Sequence, residues 1–276
     1  MKEFLLRGEI MVTFPSLGLK FNIDRVAFNI LGIDIYWYAI LIVSAILISF
    51  LILKINNKRC NIEYKDILDL SIFLIPISII CARLYYVIFD LEYFLKNPSQ
   101  IFNIRDGGLA IYGGIIGGII TCYIFCKKRN ISFLDLLDYL VPCLALGQAI
   151  GRWGNFINIE AHGVQTDNLF RMGIIENGQY IEVHPTFLYE SIFTFVIFII
   201  LMVMTKKRKF AGELTFIYLI LYSFVRFFIE GLRTDSLMLF SLRISQVLSL
   251  VIFVLSCIML ITNITKLRKM SKNGEK

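Results

Sequence analysis

Long apolar runs, separated by short polar connections, organise this sequence. Lipid offers no hydrogen-bond partner to backbone N–H and C=O groups, so a spanning helix needs about 20 mainly apolar residues. Seven runs meet that requirement: Ile35–Leu53, Ile67–Phe89, Leu109–Cys126, Phe133–Ile150, Thr186–Met204, Leu214–Ile229 and Ile244–Ile264. Phe133–Ile150 is the weakest, because it holds Asp135, Asp138, Pro142 and Gln148. Charge topology nevertheless requires a crossing there. Four basic clusters follow the odd-numbered runs: Lys54 to Lys65, Lys127 to Arg129, Lys206 to Lys209, and Lys266 to Lys276. All four fall on one side only if Phe133–Ile150 is counted, and the positive-inside bias then puts the N-terminus outside and the C-terminus in the cytoplasm. Ahead of the first run, Phe21–Ile35 alternates apolar and polar residues with Gly32 as a break, the pattern of a short extracytoplasmic hairpin on the membrane face. The expected fold class is an all-α polytopic membrane protein with about seven transmembrane helices. Its parts are an outer N-terminal segment (residues 1–34), a transmembrane domain (35–264) that includes a small extracytoplasmic cap (155–185), and a basic tail (265–276).

Composition strengthens this picture. The 276 residues are 57% hydrophobic and only 18% charged, too few polar groups to cover a soluble domain of this length. Five of the six cysteines lie in apolar runs, and only Cys60 sits in a polar connection, which excludes a disulfide scaffold. The net charge of +7 comes in short clusters between apolar runs, a membrane pattern and not a nucleic-acid one. The first 34 residues lack a signal-peptide h-region and cleavage site. Arg7-Gly8-Glu9 shortly before Met11 reads as a purine-rich ribosome-binding site translated as protein, so Met11 is the expected start and residues 1–10 are expected to be non-native.

Charges within or beside spans are expensive and tend to be functional. Here they are Arg83, Asp135, Asp138, Arg152, Glu160, Glu190, Arg226, Glu230, Arg233 and Arg243. The positive-inside rule gives no reason for Arg152, Arg226 and Arg233. The densest stretch is Gly151-Arg152-Trp153-Gly154-Asn155-Phe156-Ile157-Asn158-Ile159-Glu160-Ala161-His162-Gly163. Arginine supplies a permanently charged fork suited to phosphate, and glycines let backbone N–H groups approach a ligand. The plainer alternative is a polar helix end with Arg152 snorkelling to headgroups. In the sixth run, Tyr222, Arg226, Glu230 and Arg233 follow steps of four, four and three, which puts them on one helical face. An Arg226–Glu230 salt bridge that merely neutralises the charge is compatible with a ligand role. Gly113-Gly114 and Gly117-Gly118 read first as close helix packing, with Tyr112 able to present its hydroxyl to a cavity. His162 and His184 are scattered, no HExxH occurs, and no metal or cofactor is expected.

These residues resemble the bacterial prolipoprotein diacylglyceryl transferase family over nearly the whole chain, from about Ile35 to Lys269. Gly151 to Gly163 matches a GRxGNFxNxExxG signature. Trp37-Tyr38, Asp106-Gly107-Gly108 with Gly113-Gly114, His184-Pro185 with Tyr189-Glu190, and Tyr222/Arg226/Glu230/Arg233 support it. The resemblance implies transfer of diacylglyceryl from phosphatidylglycerol to the lipobox cysteine of a prolipoprotein signal peptide, in a bacterial plasma membrane, with release of glycerol phosphate. Such a reaction needs fixed cations at the phosphate and a way to ionise a thiol, whose pKa of about 8.5 falls beside arginines. The expected catalytic residues are Arg152, Arg226, Glu160 and Glu230. The expected lipid-binding residues are Arg152, Gly154, Asn155, Gly163, Tyr38, Tyr112, Tyr222 and Arg233. Glu160 and Glu230 are expected to orient the arginines. Many members carry a histidine where this chain has Tyr112, so a phenol replaces that family's candidate catalytic imidazole. A lipid or anion transporter is the main alternative; the lack of an internal repeat and the odd span count speak against it.

Overall fold

The computed structural model describes residues 10–56, 62–104, 107–234, 238–239 and 242–274. Among them, seven helices are long and apolar enough to cross a membrane. The helices are α1 (Trp37–Asn56), α2 (Tyr64–Phe89), a short α3 (Leu91–Lys96), α4 (Ile111–Arg129), α5 (Phe133–Asn158), α6 (Thr186–Thr205), α7 (Glu213–Leu232) and α8 (Ile244–Gly274). The expected starts and ends lie within a few residues of these at most boundaries. Two ends differ more. Helix α5 continues eight residues past Ile150 through the Gly151–Asn158 stretch, and α8 runs on through the basic tail. Glycines at 151 and 154 weaken a helix in water, but backbone bonding within the helix is what an apolar medium rewards. The same reasoning lets α5 pass through Pro142 and α2 through Pro76 without a break.

The chain divides into two compact units, Met1–Ile52 with Leu140–Lys276, and Leu53–Tyr139. In the second, α2 packs closely on α4. A Cβ added to Gly113 or Gly117 would collide with the backbone of Cys81 or with its side chain, so these glycines permit the approach. Arg83 is buried there, 8% exposed, and donates to the carbonyls of Gln100 (2.5 Å), Ile101, Gly107 and Gly108 (2.9 Å each). The Arg83 guanidinium also stacks over Tyr86 and Phe94. Helix α4 ends in Lys127, Lys128 and Arg129, cations that suit a helix C-terminus, and Asn130 closes it in the left-handed conformation.

In the first unit, α5, α6 and α7 share a core of Val141, Ala145, Ile197, Leu201, Leu214 and Tyr218. A cap of strands, drawn in part from residues 155–185, packs on these helices. Strands β1 (Ile10–Phe14), β2 (Leu19–Ile23), β5 (Met172–Glu176) and β6 (Gln179–Val183) form an antiparallel sheet in the order β2-β1-β5-β6. Its inner face, Val12, Phe14, Ile23, Met172, Ile174 and Val183, packs with Phe187 of α6 and with Phe156, Ile157 and Ile159. Asn177-Gly178 turns β5 into β6 with φ of 50° and 77°, the two positive values that a tight hairpin of this hand needs. The hairpin expected over Phe21–Ile35 is β3 (Val26–Ile30) and β4 (Ile33–Tyr36), joined by Leu31-Gly32. Phe21 belongs instead to β2. A two-stranded element, β7 (Met238–Leu239) and β8 (Leu242–Arg243), lies between α7 and α8. Residues 1–9, and with them nearly all of the segment expected to be non-native, lie outside the described residues, as do Cys60 and Asp106.

Candidate active site

The dense polar stretch is mostly helix. Gly151 to Asn158 form the last two turns of α5, so Arg152 and Asn155 stand one turn apart on a common face. Arg152 Nη1 donates to Asn155 Oδ1 at 3.0 Å, and Asn155 Nδ2 donates to Glu160 Oε1 at 2.8 Å. Asn158 Nδ2 also reaches Glu160 Oε1, at 3.5 Å. Glu160 therefore supports Arg152 through an amide. It touches no guanidinium directly in these bonds, and it is exposed. The chain reverses to bring Glu160 over Asn155. Glu160 N–H donates to Asn155 O at 3.0 Å, and Ile159 and Ala161 take positive φ values of 52° and 58°. A β-branched residue in that region is strained, and Ile159 is held there by packing against the cap core. Arg25 Nη2 caps the same helix end by donating to Asn158 O at 2.8 Å.

Helix α7 supplies Tyr222, Arg226 and Glu230 from one face. Arg226 Nη2 pairs with Glu230 Oε2 at 2.5 Å, the expected bridge one turn apart. Arg233 does not extend that face. It lies just past the end of α7 with extended backbone, and it bridges Gly163 in antiparallel fashion. Its charge is close enough to Arg152 to oppose it.

The carboxylate that joins these groups is Glu190, on α6. Its Oε1 accepts Arg152 Nη2, its Oε2 accepts Arg226 Nη1 at 2.9 Å, and Tyr222 donates its hydroxyl to Oε1 at 3.3 Å. Glu190 is 1% exposed and Glu230 is 2% exposed. Removing an ion from water costs several kcal/mol even after relaxation, so carboxylates this deep persist only when paired and bonded. Behind them Tyr222 stacks on Tyr218, with centroids 5.7 Å apart, and Tyr218 donates to Gln148 Oε1 at 2.9 Å. Three helices thus meet through one polar column.

Sequence reasoning recognised Glu190 as an intramembrane charge but left it outside the expected site. Its signal was the need of any such carboxylate for a cation. Arg226 already had an acidic neighbour one turn away, and nothing local could reveal that it takes a second from α6.

The remaining expected residues are placed as follows. Gly154 lies against Tyr38 of α1, whose ring occupies the space a Cβ would need. Gly163 is buried. Its N–H donates to His184 O at 2.9 Å, and a Cβ there would meet His184 Cβ at 2.7 Å and Leu232 O at 3.0 Å. Gly163 therefore fastens the cap connection to the ends of α6 and α7, through its backbone. Tyr112 belongs to the other compact unit, at the start of α4, with its ring centroid 6.4 Å from that of Tyr85. The His184 ring lies 3.3 Å from the Tyr189 hydroxyl, and burial lowers its pKa below the usual 6.5. Among the described residues, no three His, Cys, Asp or Glu side chains come together as metal ligands would.

Two guanidinium groups fixed by one buried carboxylate can hold a doubly coordinated anion. Among the described residues, Nε of Arg152 is buried and meets no hydrogen-bond partner, a donor left over for such an anion.

The sequence matches the family model for prolipoprotein diacylglyceryl transferase over residues 25–262. It is 50% identical over 237 residues to the phosphatidylglycerol–prolipoprotein diacylglyceryl transferase of Finegoldia magna, covering 86% of this chain and 94% of that protein. The transferase of the same name from Clostridioides difficile is 53% identical over 228 residues, 83% of this chain and 90% of its own. That of Bacillus cereus (strain G9842) is 49% identical over 253 residues, 89% and 94% respectively.

Proposed function

The chain belongs to the prolipoprotein diacylglyceryl transferase family, and on that premise we propose that it transfers the diacylglyceryl group of phosphatidylglycerol to a cysteine thiol of a prolipoprotein. The observation that carries the chemical reading is the pair of arginines, Arg152 and Arg226, held on one buried carboxylate with a donor of Arg152 to spare. The relatives' names favour this reading over a transporter built on intramembrane arginines.

In the reaction, the thiolate sulfur attacks the glycerol carbon that bears the phosphate. An S–C bond forms to the diacylglycerol carbon, and that carbon's C–O bond to the phosphate oxygen breaks. The electron pair stays on the phosphate oxygen, and glycerol phosphate leaves. Negative charge moves from sulfur to phosphate, so fixed cations at both positions lower the barrier more than a strong acid–base pair would. Arg152 and Arg226 hold the phosphate oxygens and stabilise the leaving group, and their field favours the thiolate. Asn155 completes the headgroup site. Gly154 gives Tyr38 room beside it, and Gly163 holds the cap connection over the helix ends. Tyr222 and Arg233 flank the phosphate. Glu230 orients Arg226. Glu160, exposed and bound by amides, relays the thiol proton to water.

The cap of β1, β2, β5 and β6 faces the outside of a bacterial plasma membrane in this reading, the N-terminus lies outside, and the basic clusters lie in the cytoplasm. The lipobox cysteine of the signal peptide then meets the arginines near the outer leaflet. The test is direct. Purified protein is mixed with phosphatidylglycerol vesicles and a lipobox peptide, and the peptide is weighed. A diacylglyceryl mass on cysteine is expected. Movement of lipid or anion with an unchanged peptide would establish a transporter instead.

A further inference from the structure

The buried carboxylate of Glu190 has no stated part in that reaction. Glu190 has its two carboxylate oxygens on two different guanidinium groups, Oε1 on Arg152 and Oε2 on Arg226 at 2.9 Å. Those arginines stand on α5 and α7, and Glu190 stands on α6. Each oxygen holds a guanidinium from a different helix, so this carboxylate sets how far apart the two sit and how their forks are turned. Tyr222 and Thr194 fix the carboxylate's own element. Tyr222 donates to Oε1 at 3.3 Å, and Thr194 Oγ1 donates to Glu190 O at 2.7 Å.

The second consequence is electrostatic. Within the cluster, the charges of Arg152 and Arg226 are balanced by Glu190 and Glu230, which lie within 2.9 Å of Arg226. A site of two naked arginines, shielded from water, would bind a phosphate tightly and release it slowly. The reaction ends with a phosphate monoester, which carries more negative charge than the diester it came from. A fixed carboxylate beside the arginines weakens the hold on that product more than the hold on the lipid.

We propose that Glu190 is a positioning residue with both effects: it fixes the two guanidinium forks for in-line transfer, and it keeps anion affinity low enough for glycerol phosphate to leave. The proposal rests on the transferase reading and deepens it. Glu190→Gln preserves length and shape but removes the charge and turns an amide NH2 toward one arginine. Transition-state alignment is lost while anion attraction grows. The expected result is a kcat lowered by about 10- to 100-fold, the range for a misplaced charged group in a transition state. The inhibition constant for glycerol phosphate falls by roughly tenfold, equivalent to about 1.4 kcal/mol, and the Michaelis constant for phosphatidylglycerol falls by less.

A part played in folding alone would lower the yield or the melting temperature and leave the product's inhibition constant unmoved. An unchanged or raised inhibition constant in Glu190→Gln overturns the proposal. If that variant does not fold, Glu190→Asp decides. It keeps the charge but is one methylene too short to reach both arginines, so kcat is expected to fall with product inhibition near that of the unaltered protein. Full kcat in Glu190→Asp overturns the proposal. The unaltered protein is assayed alongside. If it leaves the peptide unchanged, the transferase reading fails; if it turns over and only the Glu190 outcomes fail, the positioning role alone is refuted.

Discussion

Replacing Arg152 with lysine isolates the guanidinium geometry from the charge. Arg152 donates Nη1 to Asn155 Oδ1 at 3.0 Å and Nη2 to Glu190, and its Nε is free for a ligand. A lysine ammonium carries the same charge on a compact head, and it cannot present three nitrogens in one plane. It can keep the contact to Glu190 or to Asn155, and a bidentate phosphate contact is lost in either case. A hydrogen bond to a charged group contributes about 1.5–3 kcal/mol. If one such bond, together with the alignment it enforces, is realised in the transition state, turnover falls by about 10²- to 10³-fold, as for an oxyanion donor. The assay is the diacylglyceryl mass on a lipobox peptide over time, with the melting temperature in detergent recorded in parallel. A melting temperature near that of the unaltered protein, with turnover within about threefold, would refute phosphate coordination by the fork and leave Arg152 as a simple counter-charge.

Other consequences follow from the same geometry. Gly163→Ala places a methyl against His184 Cβ and Leu232 O, both parts of the scaffold, so a loss of about 1–3 kcal/mol is expected and is read as a drop in melting temperature. Arg83→Ala strips four carbonyls of their donor inside the unit that contains α2 and α4. A destabilisation of at least about 2 kcal/mol is expected, measured by denaturant or thermal unfolding. Asn155→Ala cuts the link from Glu160 to Arg152. Turnover should fall by about tenfold or more with little change in melting temperature, because Asn155 is only part-buried. Burial holds His184 below its usual pKa of 6.5, so the folded protein binds that proton less readily than the unfolded chain. Its contribution to stability is complete above pH 6.5 and is lost as the pH falls from there through the folded value. In His184→Gln the melting temperature should therefore fall less steeply between pH 6.5 and 5 than in the unaltered protein.

Much of this architecture is written locally. Spanning helices depend on unbroken apolar length, which the chain states outright, and the Arg226–Glu230 pair depends only on a spacing of four along α7. The Gly151–Gly163 stretch stood out as a candidate site through its unusual mixture of arginine, amides and glycines. The cap was only partly legible. Asn177-Gly178 is a hairpin signal between β5 and β6, but the polar residues around it gave no alternation strong enough to show two strands. The pairing of β1 with β5, Thr13 opposite Gly173, joins segments far apart in the chain, and no local pattern encodes it.

The sequence by itself determined what must lie in lipid and which few charges had no topological reason to be there. The tertiary structure decided how those charges are matched. Glu190 belongs to α6, Arg152 to α5 and Arg226 to α7, and only the packing of these three helices brings the carboxylate between the two guanidiniums. The physical reason is one of range. Helical periodicity reports neighbours three and four residues apart. The cost of a buried charge guarantees that a partner exists, but which partner it is depends on helix contacts that the linear pattern does not carry.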